Sequence, residues 1–349
     1  MKTLPIVNII IVNYRNWEDT IECIESILHC NYASIIITVI DNGSENGSFD
    51  FLLKWLKGEL SLWLEPNNYF RKFVCPGRNI SDLCKQVYYC NDKHIFQKAI
   101  EEDITGGDGF PRIILIRNFK NDGFAAANNI AIKFAQNHIK PDYYWFLNND
   151  TVIRQDTLSE LLGYAEKAGC AIRHIGIIGA CLMEYDRPEI IQSLGGKYII
   201  PFGLSYHIGA GRSCLKFPVD QKMVNAQLNY INGASMFVLP EFITETGLQN
   251  EQYFLYGEEI DWSIRAKKKK WYMEVCLSAK VYHKGSSTIV KYSKVSDYYS
   301  IRAKIRIVKK YYPYYLPFIY LSAGLVIVNR IRRYQFSHIP VILRAIIDA

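Results

Sequence analysis

The sequence predicts an α/β protein with a mostly parallel central sheet and helices on both of its faces. Three observations lead there. Short, wholly apolar, β-branched runs alternate with segments of helical period through the first 150 residues. Each apolar run ends in a polar or Gly-rich stretch, as strands do where an α/β sheet binds its ligand. The 349 residues are 49% hydrophobic, 21% charged and 14% aromatic, which excludes disordered, collagen-like and disulfide-scaffold chains and leaves ample material for a core.

Taken in order, Val7–Val12 reads as a strand buried on both faces. A helix follows, with Trp17, Ile21, Ile24 and Leu28 on one face and Asn16 as its expected cap. Ile35–Ile40 is a second buried strand, closed by Asp41-Asn42-Gly43-Ser44. Arg112–Ile116 and Tyr143–Leu147 are further strands, separated by an Ala-rich helix over Phe124–Gln136. Between them, residues from about 63 to 110 break the rhythm and read as an insertion, with helix expected around Ile80–Tyr89 and Lys93–Glu102. Later, Ile260–Lys268 reads as a helix and Ala279–Tyr282 as a short strand.

Charge divides the chain. Residues 265–349 carry 18 Lys/Arg against three acids, a net of +15, whereas residues 1–264 carry 23 against 31, a net of −8. The boundary is expected near residue 295, with a main domain over 1–295 and a basic helical region over 296–349. Tyr298–Lys310 has helical period, and Tyr311–Val328 follows as 18 uncharged residues containing Pro313, Pro317 and Gly324. That run is short and broken for a membrane span, and a helix lying in an anionic interface fits it better. No nucleic-acid recognition module accompanies the basic tail.

Nine cysteines without a repeat, and a start that runs straight into an apolar strand, lead to the expectation of a reducing, cytoplasmic setting. Cys75, Cys84, Cys90 and His94 match no common zinc spacing. A dinucleotide glycine fingerprint, a P-loop and a nucleophile elbow are all absent.

Four constellations carry chemistry. Asn148-Asn149-Asp150-Thr151 is either an Asn/Asp turn or a hard-oxygen site for Mg2+ or Mn2+ beside a nucleotide diphosphate. Asp41 is either a turn residue or a carboxylate facing a base N–H. Glu258, Glu259 and Asp261 are acids at a helix start, stabilised there by its dipole, or a source of a general base. His283 is a structural histidine, a metal ligand or a phosphate contact.

Together with Asn121-Asp122-Gly123-Phe124 through Asn128-Asn129 and Asn232-Gly233-Ala234, this ordered set resembles the family 2 inverting glycosyltransferases of GT-A, nucleotide-diphospho-sugar transferase fold. Within them it is most similar to the bacterial rhamnosyltransferase-like branch of O-antigen and capsule synthesis. The resemblance spans roughly residues 5–60 and 111–310. It implies that Asn13 and Asp41 line the nucleotide pocket, and that Gly123, Phe124 and Asn128 underlie the nucleotide and reach the sugar. It further implies that Asn148 and Asn149 contact the nucleotide sugar beside Asp150, that Asp150 and His283 serve an Mg2+ or Mn2+ ion, and that Asn232 and Gly233 floor the acceptor cleft.

The implied reaction is an inverting transfer of a sugar from a nucleotide-diphosphate donor, best matched by L-rhamnose from dTDP-L-rhamnose. The implied acceptor is a hydroxyl of a glycan linked to undecaprenyl diphosphate, at the inner face of the cell membrane. The family usually has Glu-Asp where this chain has Glu258-Glu259, so Glu259 is the expected base with Glu258 in reserve. The alternatives are a transferase for another nucleotide sugar and a non-catalytic relative that binds nucleotide or glycan. A sugar nucleotidyltransferase lacks support, because Val12-Asn13-Tyr14-Arg15 offers neither a Gly-rich loop nor a lysine.

Overall fold

The computed structural model describes residues 4–74, 83–91, 95–99, 110–215, 219–285 and 293–349. The first half runs β1 (Val7–Asn13), α1 (Trp17–Leu28), β2 (Ile35–Asn42), α2 (Ser48–Leu56), α3 (Arg71–Val74), β3 (Cys84–Cys90), β4 (Phe96–Lys98), β5 (Arg112–Asn118), α4 (Phe124–His138), β6 (Tyr143–Leu147) and β7 (Thr151–Ile153). There follow α5 (Thr157–Lys167), α6 (Cys170–Arg173), β8 (Ile175–Glu184), β9 (Ile191–Ser193), β10 (Gly196–Ile199), β11 (Leu204–His207), α7 (Gln221–Gln227) and β12 (Ser235–Val238). The chain closes with α8 (Pro240–Thr246), α9 (Glu258–Lys268), β13 (Tyr272–His283), α10 (Lys294–Tyr311), α11 (Leu316–Arg332) and α12 (Ile339–Ile347).

Eleven strands form one sheet in the order β4-β3-β5-β2-β1-β6-β12-β8-β13-β7, with β9 beside β8. From β3 to β6 the pairings are parallel, and every residue of β1 and β2 is buried, as the Val/Ile-rich composition of central strands predicts. The antiparallel β12 then enters between β6 and β8, making the sheet mixed. Register does the functional work. It pairs Asn13 with Asp41, Asn42 with Asn118, Leu147 with Ser235 and Thr151 with His283, so the polar strand ends gather along one edge.

Three local expectations change. Asn16 sits at the start of α1, but its side chain bonds Asp19 and makes no cap. The helix expected over Ile80–Tyr89 is strand β3 where it is described, and the helix expected from Lys93 holds β4. The spacing of Cys84, Val87 and Cys90 imitates a helical face. The open edge of β5 captures this Val- and Tyr-bearing segment as a parallel strand instead, because strand preference is decided by the neighbour. The described part of the 63–110 segment therefore extends the central sheet. Cys84 and Cys90 lie at opposite ends of β3, about 20 Å apart at strand rise, so they cannot share a metal. Cys75 and His94 fall outside the described residues.

The C-terminal helices are built onto the main domain through α10. One face of α10 joins a core of Tyr198, Tyr230, Tyr253, Ile260, Ile264, Ala303 and Ile307, which includes the helix carrying the acids. Its other face packs Ile301, Ile305 and Val308 against Ile319 of α11 and Ile342 of α12. Asp297 staples this corner by accepting from Arg330 Nε at 2.8 Å while lying 2.7 Å from His338 Nδ1. Pro313–Arg332 is a 20-residue helical stretch of mean hydropathy 1.3, only 17% buried, and long and apolar enough to cross a membrane.

Candidate functional site

The site begins where β1 and β2 end. Asp41 accepts a hydrogen bond from Asn13 Nδ2 at 2.7 Å; Asn13 Oδ1 accepts from Thr20 Oγ1 at 2.8 Å; Thr20 Oγ1 accepts from Asn149 Nδ2 at 3.0 Å. A continuous side-chain chain thus ties the end of β2 to the turn that carries Asp150. Burial raises the Asp41 carboxyl above its usual range, against the hydrogen bonds from Ser44 and Asn13. Asn13 and Asp41 are 0% and 1% exposed, so they form the floor under the expected nucleotide pocket and offer it no open side-chain surface.

The second corner joins Asn148, Asp150, Gln192 and His283. The Gln192 amide NH2 donates to the His283 carbonyl at 3.1 Å, which turns its Oε1 toward ring Nδ1 at 2.6 Å. The network therefore assigns the ring proton to Nδ1. The bare Nε2 lies 3.3 Å from Asn148 Nδ2 and 3.1 Å from Asp150 Oδ1. Two electron-pair donors this close require a proton or a cation between them, so these residues fit a divalent ion. Among the described residues no cluster of three or more His, Cys, Asp or Glu surrounds the point, so water and ligand oxygens would complete the shell. Lys284 braces the corner: its backbone N–H donates to the Asp150 carbonyl at 3.0 Å and its ammonium pairs with Asp19 and Glu22.

The third corner is the start of α9. Gly257 enters it at φ +90°, and Tyr256 before it is held at φ +65°, a left-handed conformation costly for a tyrosine. Glu258 is buried and Glu259 half-buried, and each has one carboxylate oxygen without a hydrogen-bond partner among the described residues. Burial raises both carboxyls; for Glu258 the shift is larger and the neighbouring Glu259 adds to it. Backbone N–H groups of Gly257, Glu259 and Ile260 oppose the shift at Glu259 by favouring its ionised form. Both carboxyls thus hold their protons to a higher pH than an exposed glutamate does.

These corners are held together by backbone contacts. Asn148 N donates to the Ala234 carbonyl at 3.0 Å, which sets the Asp150 turn beside Asn232-Gly233. A Cβ on Gly233 would stand 4.0 Å from that of Glu259. Gly123, at φ +99°, lies so close to Phe254 that a Cβ would meet the Phe254 carbonyl at 2.6 Å, while Phe124 N donates to that carbonyl at 2.9 Å. The glycine of the Asn121–Asn129 segment thus sets the approach to the acid helix.

Two expected ligand contacts are otherwise employed. Asn128 is 1% exposed, and its amide donates to Gln249 Oε1 at 3.1 Å. Asn149 is buried and spent on Asn16 and Thr20. Both are positioning residues, because their amides are spent on protein partners. Asn148, Phe124, Asn232, Gly233, Glu259 and His283 are the expected residues that retain partial exposure. Sequence reasoning missed Gln192, Thr20 and Phe254. Nothing in Ile191-Gln192-Ser193 marks it as more than a short strand, and its partner lies 91 residues away.

Residues 90–219 match the family model described as Glycosyl transferase family 2. The chain is 26% identical over 149 residues to rhamnosyltransferase WbbL of Escherichia coli, covering 41% of this chain and 53% of that protein. It is 23% identical over 154 residues to the low-salt glycan biosynthesis hexosyltransferase Agl10 of Haloferax volcanii, covering 43% and 44%. The chain thus spans about half the length of the curated relatives it matches. In fold it resembles GalNAc-T7 crystallised with UDP, GalNAc and Mn2+, with a TM-score of 0.56 and 14% identity over 92% of this chain and 50% of that one. It also resembles the mannosyltransferase PcManGT of Pyrobaculum calidifontis in complex with GDP-Man and Mn2+, with a TM-score of 0.51 and 10% identity over 99% and 87% of the two chains. Residues 90–219 thus match a glycosyl transferase family 2 domain, and the fold is that of GT-A glycosyltransferases.

Proposed function

We propose that this protein is an inverting glycosyltransferase that moves a sugar from a nucleotide-diphosphate donor to a hydroxyl of a glycan. One observation carries the reading: a carboxylate–imidazole corner at Asp150 and His283 is tied through Asn148 and Ala234 to the loop beneath Glu259. The first suits a departing diphosphate and the second suits an incoming hydroxyl.

Asp150 and His283 would hold an Mg2+ or Mn2+ ion, which when bound supplies electrostatic stabilisation for the leaving diphosphate. Gln192 keeps the His283 Nε2 lone pair available. Asn232 and Gly233 seat the acceptor beside Glu259. Glu259 takes the hydroxyl proton as that oxygen bonds the anomeric carbon and the bond to the diphosphate oxygen breaks. Attack on the face opposite the leaving group inverts the anomeric centre.

The donor we favour is dTDP-L-rhamnose, on the likeness to a rhamnosyltransferase. The acceptor we favour is an undecaprenyl-diphosphate-linked glycan of a bacterial surface polysaccharide. Peripheral association with the cytoplasmic face of the cell membrane belongs to the same reading. It is supported by the +15 charge of residues 265–349 and by exposed Phe318, Leu321, Leu325 and Val328 on α11.

The test is calorimetry and thermal shift with a panel of nucleotide diphosphates and nucleotide sugars, in Mg2+, Mn2+ and EDTA. Metal-dependent binding strongest for dTDP-L-rhamnose is the expected outcome. Metal-dependent binding that favours another nucleotide sugar would keep the transferase and replace the donor. Absence of nucleotide binding in every condition would overturn the reading and leave a glycan-binding relative of the fold.

A further inference from the structure

A cavity of about 680 Å3 opens between α10 and the segment Glu251–Phe254, whose Phe254 end adjoins Gly123 and Phe124. Arg302, Arg306, Lys309 and Lys310 line it from one face of α10, at spacings of four, seven and eight residues. Glu251 is the one acid in the lining, and its carboxylate accepts from Asn129 Nδ2 at 2.8 Å.

The two guanidinium groups are fixed by backbone carbonyls, with the Asp348 carboxylate near enough to act on both. Arg306 donates through Nη1 to the Gln252 carbonyl at 2.8 Å and through Nη2 to the Asp348 carbonyl at 2.9 Å; Arg302 donates through Nε to the same Asp348 carbonyl at 3.3 Å. Carbonyls orient a cation without cancelling its charge. Burial first, and then the nearby Arg302, push Arg306 below its ordinary value, against Tyr253, Tyr298 and Asp348. Lys310 is offset by Asp261 at 3.0 Å, whereas Lys309 has no hydrogen bond or ion pair among the described residues. A concave site with two oriented guanidinium forks, a free ammonium and one engaged acid is complementary to a multivalent oxyanion.

We propose that this cavity is a binding site for a phosphate or diphosphate group. The site stands on the geometry of α10 alone and does not depend on the transferase reading. Two sources carry this chemistry, a soluble phosphate compound and the headgroup of a phosphorylated lipid.

The test uses the full chain in EDTA, which silences any metal-dependent nucleotide site, with inorganic pyrophosphate titrated by calorimetry. Arg302→Gln and Lys309→Gln should each weaken pyrophosphate binding roughly tenfold or more, as loss of a charged hydrogen bond does. Lys309→Gln touches no structural partner, so its result stands even if Arg302→Gln disturbs α12. Arg332→Gln, the same charge change on α11, should leave binding unaltered. Flotation with phosphatidylcholine vesicles, with and without phosphatidylglycerol, separates the sources. Loss of phosphatidylglycerol-dependent flotation in the two pocket variants assigns a lipid headgroup; unchanged flotation with weakened pyrophosphate binding assigns a soluble ligand. No pyrophosphate binding, equal binding by wild type and both pocket variants, or an equal loss in Arg332→Gln would overturn the proposal.

Discussion

Gln192 and His283 form a reciprocal pair: the amide of Gln192 donates to the backbone carbonyl of His283 and its oxygen faces ring Nδ1 at 2.6 Å. This double contact fixes both the direction of the ring and the nitrogen left bare toward Asp150. Gly285 is packed so tightly against Gln192 that a Cβ would lie 3.2 Å from its amide nitrogen, which limits the freedom of the pair.

Replacing Gln192 should therefore weaken the metal without unfolding the protein. Gln192→Leu is expected to reduce Mn2+ affinity, measured by calorimetry in the presence of nucleotide diphosphate, by roughly tenfold or more, the range for residues that orient a ligating imidazole. Gln192→Glu keeps an acceptor for Nδ1 and should recover most of the loss. Equal Mn2+ affinity in wild type and Gln192→Leu would show that the orientation of His283 is immaterial.

The two acids of α9 should separate by substitution. Glu259→Gln is expected to lower the rate of transfer by about 10² to 10⁴, the usual contribution of a general base, with nucleotide affinity retained. Glu258→Gln should lose far less, because Glu258 is buried while Glu259 keeps partial exposure. The reverse ranking, measured as kcat on a defined acceptor, would assign the base to Glu258.

Acidity offers a separate check on the same pair. Burial raises both carboxyls above the ordinary glutamate value of 4.5. A base must be ionised, so activity should fall on the acid side at a pH above 4.5, earlier than for an exposed glutamate. For stability the sign is opposite to that of a salt-bridged acid. A carboxyl whose folded pKa is raised contributes stability that is full below 4.5 and is lost as pH rises through the folded value. Glu258→Gln should accordingly raise the melting temperature relative to wild type at pH 8 more than at pH 4. A difference independent of pH would rule out an ionising Glu258.

Gly123→Ala tests the close approach to Phe254. The added Cβ would meet the Phe254 carbonyl at 2.6 Å, on a residue held at φ +99°. Backbone strain alone should cost about 1–3 kcal/mol, and displacement of Phe254 should carry the start of α9 with it. We expect a lower melting temperature together with a reduced kcat. Loss of stability with kcat intact would mean that the Gly123 contact supports the fold and does not set Glu259.

Much of this was legible from local pattern. The Val/Ile runs of β1 and β2, the Ala-rich α4 and the aromatic β6 announce themselves because burial on both faces demands uninterrupted apolar residues. Their polar ends marked the edge on which the site lies, and the order of those ends carried the family resemblance. Residues 84–90 were misread, since Cys84, Val87 and Cys90 satisfy a helical period and only the free edge of β5 makes them a strand. Asn128 was misassigned for a related reason: its neighbours in sequence are site residues, while its side chain meets Gln249, 121 residues away.

What the sequence by itself determined, then, is which segments are strands and helices in the doubly covered core and which strand ends are polar. Those follow from period and composition, which are local. Only the tertiary structure decided the proton position on His283, the unequal burial of Glu258 and Glu259, and the cationic cavity of α10. Each of these depends on groups brought together across tens to more than a hundred residues. Burial and the identity of a hydrogen-bond partner are properties of the packed chain, and no local pattern encodes them.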